Sequence, residues 1–286
     1  MKTIAVLGYG TMGRGLVQNL RSKGFKLRLY NRTPSKIETT DHYVICSTPA
    51  MAVSNANYVL SCVSDDNAST DVWFTGKYAA TSALKKGTIV IEMSTLSTHY
   101  IKKWKEKMKK IGCKPIDAPM TGSKIGAESG NLVLFIGGNK KDINQASAIF
   151  KSISKKYYHL GSVGAGTKFK LMFNLINATC LVALSEAFYV STKLELDLDK
   201  VLQIFKENGG WIAKISQVMG DSIVTGLHEH NDVFMRLEHL KKDITYLLRE
   251  INVPLGSKIK EIFESDSLVK HKEKNMSAVS EFYFKR

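Results

Sequence analysis

The residues Gly8-Tyr9-Gly10-Thr11-Met12-Gly13 stand directly after a short apolar run and open a helical pattern. Glycines at this spacing between a strand and a helix form the turn that cradles a dinucleotide diphosphate. Gly8 permits the tight turn, Gly10 lets backbone N–H groups approach the pyrophosphate, and Gly13 lets the helix pack closely on the strand. Tyr9, Thr11 and Met12 belong to the same cradle, and the helix N-terminus adds positive potential. Roughly 20 residues further on, an NAD site places an acid that accepts from the ribose 2′-hydroxyl. Here Asn31-Arg32-Thr33 holds that place. No carboxylate is present to repel a 2′-phosphate, Arg32 can bind one through charge-assisted bonds, and Asn31 and Thr33 add neutral polar partners. The expected cofactor is NADP(H).

Val63-Ser64-Asp65 follows a strand pattern ending at Cys62, and Ser94-Thr95 follows one ending near Ile91. Loops at the carboxyl ends of strands in an open α/β sheet face the ligand crevice. Val63, Ser64 and Thr95 are therefore expected at ribose or nicotinamide. Ser94 and Thr95 equally suit the N-cap of the helix that follows, and the two roles can coexist. The turn Thr121-Gly122-Ser123 combines backbone N–H groups with two hydroxyls, a set of donors suited to a carboxylate. Lys124 beside it reads equally well as a surface charge.

Taken in order, these segments resemble the β-hydroxyacid dehydrogenase family, which includes 3-hydroxyisobutyrate dehydrogenases, tartronate semialdehyde reductases and glyoxylate/succinic semialdehyde reductases. The resemblance covers nearly the whole chain. Asp117-Ala118-Pro119-Met120-Thr121-Gly122-Ser123 looks like the family's substrate motif, and the stretch from Gly161 to Asn174 looks like its catalytic motif. Lys242-Asp243, following Phe234, looks like its C-terminal Lys-Asp pair. Ser123-Lys124 is closest in kind to the glyoxylate/succinic semialdehyde reductase branch.

The resemblance implies hydride transfer between nicotinamide and a small carboxylate-bearing aldehyde or β-hydroxy acid, of the succinic semialdehyde, glyoxylate or 3-hydroxyisobutyrate type. It implies that Lys170 donates a proton to the carbonyl oxygen during reduction and takes it back during oxidation. Asn174, one helical turn further on the same face, would orient Lys170 and the substrate oxygen. Thr121, Gly122 and Ser123 would hold the substrate with Lys170 and Asn174, Phe234 would wall the pocket, and Lys242 would lie near the nicotinamide. Lys170 sits among Phe169, Leu171, Met172 and Phe173. Burial there disfavours the ammonium form. Lys168 reads as a solvated charge. Two departures from the family pattern stand out. Thr121 and Ser123 occupy a motif that is more often Ser-Gly-Gly. Asn275-Met276-Ser277-Ala278 replaces an Asp-containing stretch that glycines often precede, so no contact is assigned to that loop.

The elements that must position these groups follow from periodicity. Strand patterns at Thr3 to Leu7, Lys26 to Tyr30, Tyr43 to Cys46, Tyr58 to Cys62, Thr88 to Ile91, Lys114 to Asp117, Leu132 to Ile136 and Tyr157 to Leu160 alternate with helical ones. Such alternation predicts a Rossmann-type, doubly wound and mostly parallel sheet. From Thr167 to about Lys193 runs one apolar helical pattern without Gly or Pro, and the remainder is helical or loop. The fold class is thus α/β: a dinucleotide-binding domain over 1–163, joined through a long helix to an all-helical domain over 164–286 that serves substrate binding and oligomerisation.

Composition sets the outer bounds. With 44% hydrophobic and 23% charged residues the chain is an ordinary globular protein, which excludes wholesale disorder. No apolar run is expected to reach the roughly 18 residues of a membrane span, and no secretory leader is read at the N-terminus, so the chain is expected in the cytoplasm. Cys46, Cys62, Cys113 and Cys180 have neither CxxC nor metal-ligand spacing and read as free, buried thiols. His228 and His230, near Asp232, are not read as a metal site. The net charge is +15. Its lysines read as scattered over a solvated surface, with clusters around Lys102 to Lys110 and Lys270 to Lys274, and nucleic acid is not the expected primary partner. Two alternatives stand beside the dehydrogenase. An imine reductase on the same scaffold is disfavoured by Lys170, because such relatives commonly lack that lysine. A non-catalytic dinucleotide- or nucleic-acid-binding relative is favoured by the charge and opposed by Lys170 and Asn174. The broad apolar helical half predicts a homodimer or homotetramer.

Overall fold

The computed structural model describes residues 2–38, 40–229 and 234–285. Contacts divide the chain into unit 1, Met1–Lys170, and unit 2, Leu171–Arg286. The sequence placed this division after Val163. Helix α8 (Ala165–Lys193) begins inside unit 1 and continues into unit 2, so contacts and periodicity mark different points along it.

Unit 1 is built on β1 (Thr3–Leu7), β2 (Lys26–Tyr30), β3 (Tyr43–Ile45), β4 (Tyr58–Ser61), β5 (Ile89–Glu92), β6 (Lys114–Asp117), β7 (Met120–Thr121), β8 (Leu132–Gly138) and β9 (Ser154–Gly161). The sheet runs in the order β3-β2-β1-β4-β5-β6-β8-β7, with β9 paired to β8. β1 to β6 are parallel, β8 is antiparallel to β6 and β7, and β9 is parallel to β8. This is a doubly wound order with its switch point between β1 and β4. β7, which carries Thr121, and the extension of β9 over Lys155 and Lys156 lack an apolar pattern of their own. Pairing with β8 creates both.

The helices between strands are α1 (Thr11–Ser22), α2 (Pro49–Val53), α3 (Asp66–Phe74), α4 (Thr98–Ile111), α5 (Ser123–Glu128), α6 (Lys140–Gln145) and α7 (Ser147–Ile153). Successive strand residues face opposite sides of a sheet. Ile4 and Val6 accordingly join Leu16, Leu20 and Phe150 in one core, while Ala5 and Leu7 join Trp73, Trp104 and Met108 in another. Burial on both faces explains why β1, β4 and β5 read as continuous apolar runs.

In unit 2, α8 supplies Ala178, Leu181, Leu184 and Phe188 to a core completed by α9 (Leu198–Asn208), α10 (Ala213–Thr225), α11 (Leu237–Leu248) and α12 (Pro254–Phe263). A 3-10 turn at Met276–Ser280 leads into α13 (Glu281–Phe284). The expectation that no segment matches a membrane span is corrected: α8 is long and apolar enough to cross one by length and composition. Its apolar character has a structural account in the buried side chains that form the unit 2 core.

The start of α8 is pinned to the end of β6. Asp117 accepts hydrogen bonds from the backbone N–H groups of Gly164 (2.6 Å) and Thr167 (2.7 Å) and from the Thr167 hydroxyl (2.9 Å). Leaving one buried donor unsatisfied costs about 1–3 kcal/mol. Asp117→Ala orphans three, and we expect it to lower unfolding free energy by about 3 kcal/mol or more in urea titrations. A loss below about 1 kcal/mol would show that the pin is dispensable.

Candidate functional site

The glycine turn has the geometry its sequence requires. Gly8 has φ +107°, and a side chain on it would overlap the Cys62 carbonyl oxygen. A side chain on Gly13 would overlap the Gly8 carbonyl oxygen, so strand and helix meet here without side chains between them. Gly10 differs, because a side chain there would meet no other atom within 4 Å. Gly10 is also the N-cap of α1, and no side chain caps that helix. Exposed Gly10 and Thr11, with half-buried Met12, therefore border open space at an uncapped helix N-terminus. Such an end binds anions. A dinucleotide diphosphate fits these residues.

Tyr9 contributes through its backbone. Its N–H donates to Asn31 Oδ1 (3.0 Å), while Asn31 Nδ2 donates to the Thr33 carbonyl (2.8 Å). Asn31 thus ties the glycine turn to the end of β2, a positioning role that leaves its second amide N–H available to a ligand. The Tyr9 ring is buried, and burial together with a hydrogen bond to Tyr43 pushes its hydroxyl up to about 12. Arg32 and Thr33 are exposed, and no ion pair joins Arg32 among the described residues. An exposed, unpaired guanidinium beside the turn suits a further phosphate.

The loops after β4 and β5 are joined to each other. Val63 N–H donates to Ser94 Oγ (2.8 Å), and Ser94 N–H donates to Glu92 (3.1 Å). Glu92 also accepts from Ser69 Oγ (2.9 Å) and Trp73 Nε1 (2.8 Å). Burial pushes its carboxyl up, and these hydrogen bonds oppose the shift. Ser94 is therefore a brace between loops, and the N-cap of α4 is Ser97, which corrects the capping role read for Ser94 and Thr95. Ser64 is exposed and donates to Asp65, the N-cap of α3, while Thr95 is half-buried. Sequence reasoning missed Glu92. Its available signal was an acid closing the otherwise apolar strand β5.

Thr121, Gly122 and Ser123 are half-buried at the junction of β7 and α5. Gly122 has φ +129° and Ser123 has φ +56°. A serine held in the left-handed region costs on the order of 1–3 kcal/mol and is a common mark of a ligand-binding turn. No side chain caps α5.

Lys170 is buried on α8, one turn beyond the Thr167 that Asp117 holds, and Lys168 on the same helix is exposed. Phe169 packs against Phe135 beside Lys170, with ring centroids 4.6 Å apart and planes tilted by 52°. Burial pushes the Asp117 carboxyl up to about 6 against the hydrogen bonds that lower it. Asp117, given by sequence only as part of a motif, is thus a positioning residue for Lys170.

In unit 2, Asn174 Nδ2 donates to Asp243 Oδ2 (2.5 Å), and Lys242 Nζ lies 3.2 Å from Asp243 Oδ1. A carboxylate only accepts, so it must face the amide nitrogen of Asn174. The Asn174 Oδ1 atom is buried with no hydrogen-bond partner among the described residues. It is an acceptor for a donor such as a hydroxyl or an ammonium. Lys242 also lies 5.3 Å from the Tyr246 ring centroid. Sequence reasoning singled out Lys242 but gave Asp243 no role of its own. Phe234 is exposed. Asn275 forms a bridge with Arg236 in unit 2. His228 is buried between Ser277 Oγ (3.0 Å) and Glu281 Oε1 (3.1 Å), whereas His230 and Asp232 lie outside the described residues. The four cysteines are free, with Cys46 and Cys113 buried and Cys62 and Cys180 half-buried.

Comparisons with known proteins agree with this geometry. Residues 3–161 match the family model for the NAD binding domain of 6-phosphogluconate dehydrogenase, and residues 164–283 match that for the NAD-binding domain of NADP-dependent 3-hydroxyisobutyrate dehydrogenase. The chain is 32% identical over 203 residues to glyoxylate/succinic semialdehyde reductase 1 of Arabidopsis thaliana, covering 70% of each. It is 26% identical over 280 residues to the cytokine-like nuclear factor N-PAC of Anopheles gambiae, covering 96% of this chain and 49% of that protein. The solved structure of Mycobacterium tuberculosis 3-hydroxyisobutyrate dehydrogenase with L-serine superposes with a TM-score of 0.82 at 22% identity, covering 98% of both chains. The chain therefore belongs to the β-hydroxyacid dehydrogenase family of NAD(P)-dependent oxidoreductases.

Proposed function

We propose that this protein is an NADP(H)-dependent semialdehyde reductase or β-hydroxyacid dehydrogenase acting on a small substrate with one carboxylate. The observation that carries the proposal is the buried Lys170, set one turn beyond the Asp117 anchor in the unit that also contains the glycine turn. When bound, the nicotinamide supplies or accepts the hydride. Lys170 gives a proton to the carbonyl oxygen in reduction and removes it from the hydroxyl in oxidation. The turn Thr121-Gly122-Ser123 receives the carboxylate through its N–H and hydroxyl donors. Asn174, clamped by Asp243, offers its carbonyl oxygen to a hydroxyl donor of the substrate. Phe234 and Lys242 complete the set of substrate- and cofactor-contacting residues in this reading. Glyoxylate, succinic semialdehyde and 3-hydroxyisobutyrate are the substrates to try first, given the named relatives.

Lys170→Ala is expected to lower kcat by at least about 100-fold in steady-state assays with these substrates, the usual scale for a positioned acid/base. NADPH affinity, followed by fluorescence titration, should hold. An unchanged kcat would remove Lys170 from the chemistry, and turnover of cyclic imines that survives Lys170→Ala would favour the imine reductase.

Selection of the phosphorylated cofactor rests on Arg32. Its charge-assisted bonds to a 2′-phosphate would contribute about 1.5–3 kcal/mol, on the order of 10- to 100-fold in affinity. Arg32→Glu is expected to weaken NADPH by at least that factor while leaving NADH nearly unchanged. Equal losses for both would contradict the assignment.

A homodimer or homotetramer is part of the proposal, because α8 leaves Met172, Ile176 and Val190 exposed. Sedimentation equilibrium should return a multiple of the 31.8 kDa chain mass at micromolar concentration. A monomer mass throughout would refute it.

A further inference from the structure

The two units differ sharply in charge. Unit 1 holds 26 Lys and Arg against 10 Asp and Glu, a net of +16, whereas unit 2 holds 15 against 16, a net of −1. Charge confined to one half of a chain is a sign of a polyanionic partner. Lysines that look scattered along the sequence gather at one edge of the unit 1 sheet, the amino ends of its parallel strands. Lys26 begins β2, and Lys2 precedes β1 and donates to the Tyr58 hydroxyl at the start of β4 (2.8 Å). Lys85 and Lys86 precede β5, and Gly87 N–H donates to the Gly112 carbonyl (2.8 Å). That bond sets them beside Lys109 and Lys110 at the end of α4. Across β6, Lys140 and Lys141 open α6 next to Lys114.

All of these lysines except Lys114 are exposed, and Lys114 is half-buried. Lys114 lies 3.4 Å from Asp142, the acid on this edge that is paired. Among the described residues no acid pairs with Lys85, Lys86, Lys109 or Lys110. A helix C-terminus favours cations and so accounts for Lys109 and Lys110. It does not account for the others. The row crosses six neighbouring strands, from β2 to β8, or about 24 Å at ~4.8 Å per strand. None of the exposed large apolar side chains lies in these segments. An anionic membrane surface usually needs an apolar or lipid anchor beside the basic patch, and single-stranded nucleic acid needs exposed rings for stacking. A row of ammonium groups alone matches the regular phosphates of a duplex, whose condensed counterions are released on binding.

We infer that the lysine edge of unit 1, at the amino ends of its parallel strands, binds the phosphate backbone of double-stranded nucleic acid without sequence preference. The test is fluorescence anisotropy of the full chain with a labelled 20-base-pair duplex of arbitrary sequence, between 50 and 200 mM NaCl. Wild type should bind in the micromolar range, with affinity falling steeply as salt rises. Reversing Lys85, Lys86, Lys109 and Lys110 together to Glu should weaken binding at least about 10-fold and reduce the salt slope by about 3–4. Reversing Lys200, Lys214, Lys258 and Lys272 of unit 2 makes the same change in net charge and should cost less than about 3-fold. Circular dichroism reports folding, and a Lys→Gln version of the edge variant replaces the reversal if the reversal fails to fold. Undiminished binding by the edge variant, or equal losses in both variants, would overturn the inference. So would capture by phosphatidylserine vesicles at a salt concentration where the duplex no longer binds.

Discussion

The interaction on which the reactive arrangement depends is the carboxylate of Asp117 closing on the first turn of α8. Three donors from Gly164 and Thr167 converge on it from the end of β6. Anions are stabilised at helix N-termini, so the contact both starts the helix and fixes its rotation about its axis. Room for it comes from two glycines. A side chain on Gly137 would overlap an Asp117 oxygen, and one on Gly166 would overlap the Phe135 carbonyl. With Thr167 fixed, Lys170 falls one turn on, at a buried position. The glycine-rich stretch before Lys170 is thus packing chemistry that serves the lysine's position.

What was legible in the sequence was local. The glycine turn, β1 and α1 are encoded within about twenty consecutive residues, and the structure places them at the expected positions. Contacts made at long range were harder to read. Ser94 looked like a ligand or a cap because only its chain neighbours were visible. Its partner, the Val63 N–H, is 31 residues away. The bonds of Asn31 to Tyr9 N–H and the Thr33 carbonyl were equally hidden, because the first reaches back 22 residues to the glycine turn. β7 and the start of β9 have no alternating pattern, since strand pairing rather than side-chain burial makes them. The gathering of lysines at one sheet edge was invisible for a related reason: they come singly or in pairs from the ends of strands and helices far apart in the chain.

Helix α8 is apolar because of what it packs against. Its length and apolar composition equal those of a membrane-crossing helix. Leu181 and Phe188 nevertheless have no exposed surface and pack with Leu202, Met219 and Ile223. A central core helix is apolar around much of its circumference for that reason, and hydropathy alone does not separate the two environments.

The acids at the carboxyl ends of the unit 1 strands explain how a crevice with several carboxylates can still favour an anion. Asp65 accepts from the Ala68 N–H and the Ser64 hydroxyl, and Asp66 accepts from the N–H and hydroxyl of Ser97. Glu92 accepts from three donors, and so does Asp117. Each carboxylate therefore directs its field into a set of internal dipoles, where it caps helices and braces loops. The α1 N-terminus and the Arg32 guanidinium are left without such compensation among the described residues. A phosphate approaching that edge meets donors whose positive ends are unspent and acids whose charge is already screened by their own partners. The same distribution would work against a cationic ligand, which would find few free acceptors there.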